Sequence, residues 1–162
     1  MVDDVPLRYI PKRLTRKDRG IIRRELRKSR KAYKRGLYVT RRPVKSYKHK
    51  TSKHVRNAKR LYKIKGNLSL DSALARKTGC SMKALNKIFK KGQGAYFSSG
   101  SRPNQTAHSW AYARLASAIT GSKAAAVDFK ILEKGCKKTS KAYRLALRRY
   151  RKGVHGVPKV RL

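Results

Sequence analysis

Covalent catalysis needs a nucleophile beside a base, and the residues of this chain that meet the description are Ser109 or Cys80 served by His108. Neither Ser109 nor Cys80 sits in the Gly-x-Ser-x-Gly type of sharp turn that lifts a nucleophile clear of the backbone. His108 falls in the first turn of an expected helix, where an imidazole faces solvent. Acid–base chemistry through paired carboxylates would draw on Asp3, Asp4, Asp18, Glu25, Asp71, Asp128 and Glu133, most of which read as helix caps or as partners of nearby cations. Metal chemistry has as little to work with. Cys80 and Cys136 are distant in sequence and neither has a Cys or His neighbour at ligand spacing, so no zinc site and no disulfide framework is expected. His49 and His54 likewise lack metal-ligand companions. The expectation is a non-enzyme with no catalytic residue, no cofactor and no metal.

What the residues do offer is the neutralisation of negative charge. Lys and Arg number 46 against 7 Asp and Glu in 162 residues, a formal charge of +39, and packing so much like charge in isolation would strain against its own repulsion. The excess is uneven: about half precedes Gly66, whereas the stretch from Gln93 to Cys136 is close to ordinary protein. The expected organisation is a basic helical or extended arm over 1–65, a small helical core over 66–151 and an extended, exposed basic tail over 152–162. No run approaches the roughly 18 apolar residues of a membrane span. The first residues, MVDDVPLRYIPKR, lack the apolar segment of a signal peptide, so a soluble or assembly-bound protein made in the cytosol is expected.

The elements that must carry these cations follow from periodicity and punctuation. Thr15 with Asp18 resembles a capping box and Gly36 supplies a stop, which predicts a helix from Arg16 to Arg35. Its narrow seam, Ile22, Leu26 and Tyr33, is a candidate surface for a partner subunit, because so polar a helix leans on something outside itself. Leu37 to Thr40 suggests a short strand, and Ser52 caps a second basic helix through about Ile64. Next comes LSLDSALARKTGCSMKALNKIFKKG, a helix from about Leu70, a turn at Gly79, and a helix from Ser81 to Gly92. It resembles a helix-turn-helix pair: Leu74, Cys80, Leu85 and Ile88 take the buried positions, while Ser81, Lys83, Asn86, Lys87 and Lys90 lie off the apolar face, where a recognition helix meets DNA. The alternative is a helical hairpin whose basic face is solvated or packs on another protein.

Beyond Gly92 the segment GQGAYFSSGSRPNQT reads as a loop, either a structured connector or a place where Arg102 and backbone amides hold a phosphate or carboxylate. Helices are then expected from Ala107 to Thr120, from Ser122 to a stop at Gly135, and from Ser140 to Arg151. Trp110 is expected to anchor the core with Leu115 and Ile119. The fold class is therefore mostly α, with a helix-turn-helix-like pair in a small core.

The string GQGAYFSSGSRPNQTAHSWAYARLASAIT, followed by KAAAVDFKILEKGC, resembles a chlorovirus-like family of small basic proteins encoded by large DNA viruses of algae and amoebae, with no known biochemical activity. The resemblance covers about a third of the chain and implies a virion setting. Two readings fit it, of which the first is the expected one and the second the alternative. In one, the chain is a minor capsid or cementing subunit whose partners are other capsid proteins or an anionic inner membrane surface, with no membrane span and no small-molecule substrate. In the other, it is a DNA-binding protein that condenses or packages double-stranded viral DNA.

Overall fold

The computed structural model describes residues 3–162; Met1 and Val2, the start of the expected arm, lie outside the described residues. Eight α-helices run in chain order: α1 (Arg16–Tyr33), α2 (Lys53–Leu61), α3 (Ser72–Thr78), α4 (Met82–Ser98), α5 (Ala107–Ile119), α6 (Lys123–Val127), α7 (Phe129–Gly135) and α8 (Lys141–Lys152). Two short strands, β1 (Asp4–Pro6) and β2 (Lys159–Arg161), pair antiparallel with Val5 opposite Val160. The mostly helical class expected from periodicity is what the chain adopts.

The chain divides into two compact units. The first gathers the described residues up to Lys50, Gln93–Trp110 and Gly156–Leu162, and the second holds Thr51–Gly92 and Ala111–His155. The first unit has an apolar core of its own, Val5, Tyr9, Ile10, Leu14, Ile22, Leu26, Val44, Tyr47 and Leu162, with Trp110 packed against it. The residues read from sequence as an arm thus carry a core up to Lys50, because their scattered apolar side chains are completed by residues distant in sequence. The tail is corrected in the same way: Lys159–Arg161 pairs with β1 and Leu162 is buried. Trp110 does not anchor a core with Leu115 and Ile119; it stands edge-on to Tyr9, ring centroids 6.0 Å apart, in the first unit. Leu37 to Thr40 is irregular, with Leu37 and Tyr38 exposed and no strand formed.

Local signals in the first unit are otherwise read correctly. Thr15 caps α1 by accepting from the Asp18 amide. Of the expected loop, Gly92–Ser98 is helical and the part from Ser99 to Thr106 is a structured connector: Asn104 accepts from the Val44 amide at 2.7 Å and donates to the Val44 and Tyr47 carbonyls. The Arg41 guanidinium donates to Ser29, the Tyr96 carbonyl and Ser101, and lies 3.8 Å from the Tyr96 ring centroid. Burial pulls the pKa of Arg41 below its ordinary value, a cost these hydrogen bonds offset.

The second unit is packed around Leu74, Leu85, Ile88, Leu115, Ile119, Phe129 and Leu132. Asp71 caps α3 through the Leu74 amide, and Gly79 closes it at φ +72°, a left-handed conformation glycine adopts without strain. Contrary to expectation, Gly92 does not end α4, which continues to Ser98. A Cβ there would meet the Ala111 Cα at 2.7 Å, so this glycine lets the backbones of α4 and α5 approach. The expectation of no disulfide is also overturned: Cys80 and Cys136, 56 residues apart, are bonded. Cross-linking a loop of that length removes unfolded-state entropy worth about 4 kcal/mol.

Candidate nucleic-acid interface

The α3–α4 pair places four of the expected contact residues together. Gly79, Cys80 and Ser81 form the turn, and the Ser81 hydroxyl accepts from the Ala84 amide, so it is engaged in capping α4. Leu85 and Ile88 are fully buried, which fixes the rotation of the helix and turns Lys83, Asn86, Lys87 and Lys90 outward, all exposed. They stand at i, i+3, i+4 and i+7, one continuous face in the first turns of α4. The turn is tethered twice, by the Cys80–Cys136 bond and by a bridge in which the Ser81 amide donates to the Gly135 carbonyl and the Lys137 amide to that of Gly79. Such a face offers cationic donors and one amide, the groups that meet phosphates and adenine edges.

Arg102 stands elsewhere, in the first unit. It lines a cleft of about 570 Å³ with Arg8, Lys12 and Arg13, over a floor of Pro6, Leu7, Pro11, Tyr47, Val157 and Pro158. Arg8, Lys12 and Arg13 were not singled out by the sequence, because nothing local ties RYIPKR to a loop about 90 residues away. The third expected group behaves differently again. Ile22 and Leu26 are buried in the first unit's own core, so the partner-subunit seam is covered by this chain; Tyr33 is half-buried, edge-on to Tyr38.

Four of the seven acids are engaged within the scaffold, while Asp3, Asp4 and Glu133 are exposed. Asp128, fully buried, accepts from the Arg114 Nε and Nη2 at 2.8 Å each and from Lys91 at 2.7 Å. Burial pushes its pKa up, but the hydrogen bonds from Arg114 and Lys91 outweigh that and hold it below the ordinary value. Asp18 is held low by the Ser46 hydroxyl and amide. Glu25 is buried and accepts from the Arg42 amide at 3.0 Å, and Asp71 caps α3. The cations, by contrast, line outer faces. Arg16, Lys17, Arg24, Arg27, Lys28 and Lys31 of α1 are exposed, as are Lys141, Arg144, Arg148, Arg151 and Lys152 of α8.

Among the described residues no group of three or more His, Cys, Asp or Glu could hold a metal ion, and no helix is long and apolar enough to cross a membrane. His108 is exposed on α5. Fold and surface together define a class: a small, mostly helical protein in which four of the seven acids are bound into caps and internal pairs and whole faces of α1 and α8 present cations. The chain belongs to the family of unknown function DUF5824, whose profile matches residues 6–134. No curated protein and no solved structure matches it.

Proposed function

We propose that this is a non-enzymatic protein that binds double-stranded DNA and helps condense or package the genome of a large DNA virus, made in the host cytoplasm and carried in the virion. The observation that carries the reading is the division of charge. Asp18, Glu25, Asp71 and Asp128 are bound into caps and internal pairs, while whole faces of α1 and α8 present cations to solvent. A duplex supplies the dense negative charge that such faces need. The α3–α4 pair serves as a helix-turn-helix, with Lys83, Asn86, Lys87 and Lys90 facing the major groove. Against a shell subunit, the seam that would have joined a neighbour is filled by the chain's own Tyr9, Leu14 and Val44 cluster.

Replacing Lys83, Asn86 and Lys87 together by Ala should weaken duplex binding by at least about tenfold and erase any preference among sequences, since a base-edge contact is worth about 1 to 3 kcal/mol. The three side chains are exposed, so the melting temperature should hold. Unchanged affinity and preference in a gel-shift titration would reduce α3–α4 to scaffolding. The second reading, a minor capsid or cementing subunit against capsid proteins or an anionic inner membrane, draws on Leu37 and Tyr38, 58% and 70% exposed. Fractionation of disrupted virions separates the two: sedimentation with the genome supports packaging, and retention in the shell supports the subunit.

A further inference from the structure

We propose that the cleft of the first unit is a binding site for a nucleoside phosphate, taken either as a free nucleotide or as one unpaired nucleotide of a strand. The inference rests on the DNA-binding reading only for the second source. At about 570 Å³ the cleft falls within the size range of small-molecule sites, roughly 300 to 1,000 Å³. Its lining is of two kinds. Arg8, Lys12, Arg13 and Arg102 supply positive charge with no carboxylate among the lining residues, and a floor of prolines, Leu7, Tyr47 and Val157 supplies apolar surface. An inorganic anion would use the cations and leave the floor wet, whereas an apolar ligand would leave the cations without a counter-charge. A phosphate joined to a flat ring uses both.

Two details sharpen the fit. The Arg13 guanidinium lies 4.5 Å from the Tyr47 ring centroid, a planar cation backed by a buried aromatic, and guanidinium planes stack on nucleobases. The Arg8 Nε is buried and makes no hydrogen bond among the described residues, so this guanidinium is not tied through it to another group of the chain. The site is also preformed. Arg102 sits in a connector fixed by Asn104 and by the Ser101 hydroxyl, which donates to the Arg102 carbonyl at 2.8 Å. A base paired inside a duplex cannot enter such a concavity without unstacking, so the cleft selects unpaired nucleotides.

The test compares the full chain with Arg8→Ala/Arg102→Ala and with Lys137→Ala/Lys138→Ala, which removes equal charge from exposed positions outside the cleft. Calorimetry follows adenosine monophosphate and inorganic phosphate, and fluorescence anisotropy follows a single-stranded oligothymidine and a hairpin duplex. Arg8→Ala/Arg102→Ala should lose about tenfold or more in affinity for the nucleotide, the loss expected of charged hydrogen bonds, while the control stays within about twofold. If the monophosphate does not bind but the single strand loses that factor and the hairpin does not, the source is a strand. Equal losses in the two variants, or displacement of the nucleotide by inorganic phosphate at matched concentration, would overturn the proposal. Should the alanine variant unfold, Arg8→Lys/Arg102→Lys keeps the charge without the planar fork and should still lose affinity. Wild-type hairpin binding, measured alongside, reports on the DNA-binding reading: its absence with nucleotide binding intact would overturn that reading and leave the cleft standing.

Discussion

Asp128 shows how a chain with a formal charge of +39 handles an acid. It is a fully buried carboxylate held between Arg114 and Lys91, and removing it would leave the Arg114 guanidinium, with 21% side-chain exposure, without its ion partner. Asp128→Ala should therefore cost about 3 to 5 kcal/mol, the range for breaking one side of a buried pair, read by urea denaturation. Asp128→Asn keeps the shape and should cost less. The pH dependence follows from the lowered pKa. A carboxyl whose folded pKa lies below its unfolded value contributes fully above about pH 4, and the contribution is lost as pH falls through the folded value. Asp18, held low by Ser46, acts in the same direction. The wild type should thus lose stability on acidification more steeply than Asp128→Asn; parallel curves would show that Asp128 is not charged in the fold. In the sequence Asp128 resembles any helix-boundary acid, because its partners lie 14 and 37 positions earlier and no local pattern links them.

At the scale of elements, the punctuation by Gly, Ser, Thr and Asp was legible where it acts locally and misleading where it acts through space. Thr15, Asp71 and Ser140 cap α1, α3 and α8 through their own following amides, a signal confined to four residues. Gly79 ends α3 for the same local reason. Gly92 and Gly135 look identical to it in sequence, yet a Cβ on Gly92 would strike Ala111 and one on Gly135 would lie 2.2 Å from the Ala84 Cβ. Both are contact points between helices: α7 does end at Gly135, as expected, whereas α4 runs on past Gly92 to Ser98. Gly92→Ala should accordingly destabilise the fold by about 1 to 3 kcal/mol through overpacking, although alanine is the better helix former. A thermal melt that stays put or rises would show that α4 and α5 yield at this crossing. The exposed face of α4 was legible as far as Lys90, because Leu85 and Ile88 set its rotation by simple periodicity. The Cys80–Cys136 bond was not, since two cysteines 56 residues apart carry no sign of being neighbours until α7 returns to the α3–α4 turn.

For the whole molecule, periodicity gave the helical class and composition the proposal of a polyanion partner, while burial reassigned the N-terminal third. Val5, Tyr9, Ile22 and Leu26 are too sparse along the sequence to announce a core, and they become one only when Tyr47, Trp110 and Leu162 join them. Once the seam is covered from within, the outward cations are what the molecule has to present. The central claim is that they meet duplex phosphates, and it predicts a strong dependence on salt, because each neutralised phosphate releases bound counterions. The measurement is duplex affinity against salt concentration. If the five exposed cations of α8 alone were engaged, the logarithmic slope would be about −4.5, and engagement of further faces should make it steeper. A slope near zero, or no measurable duplex binding at low salt, would contradict the account.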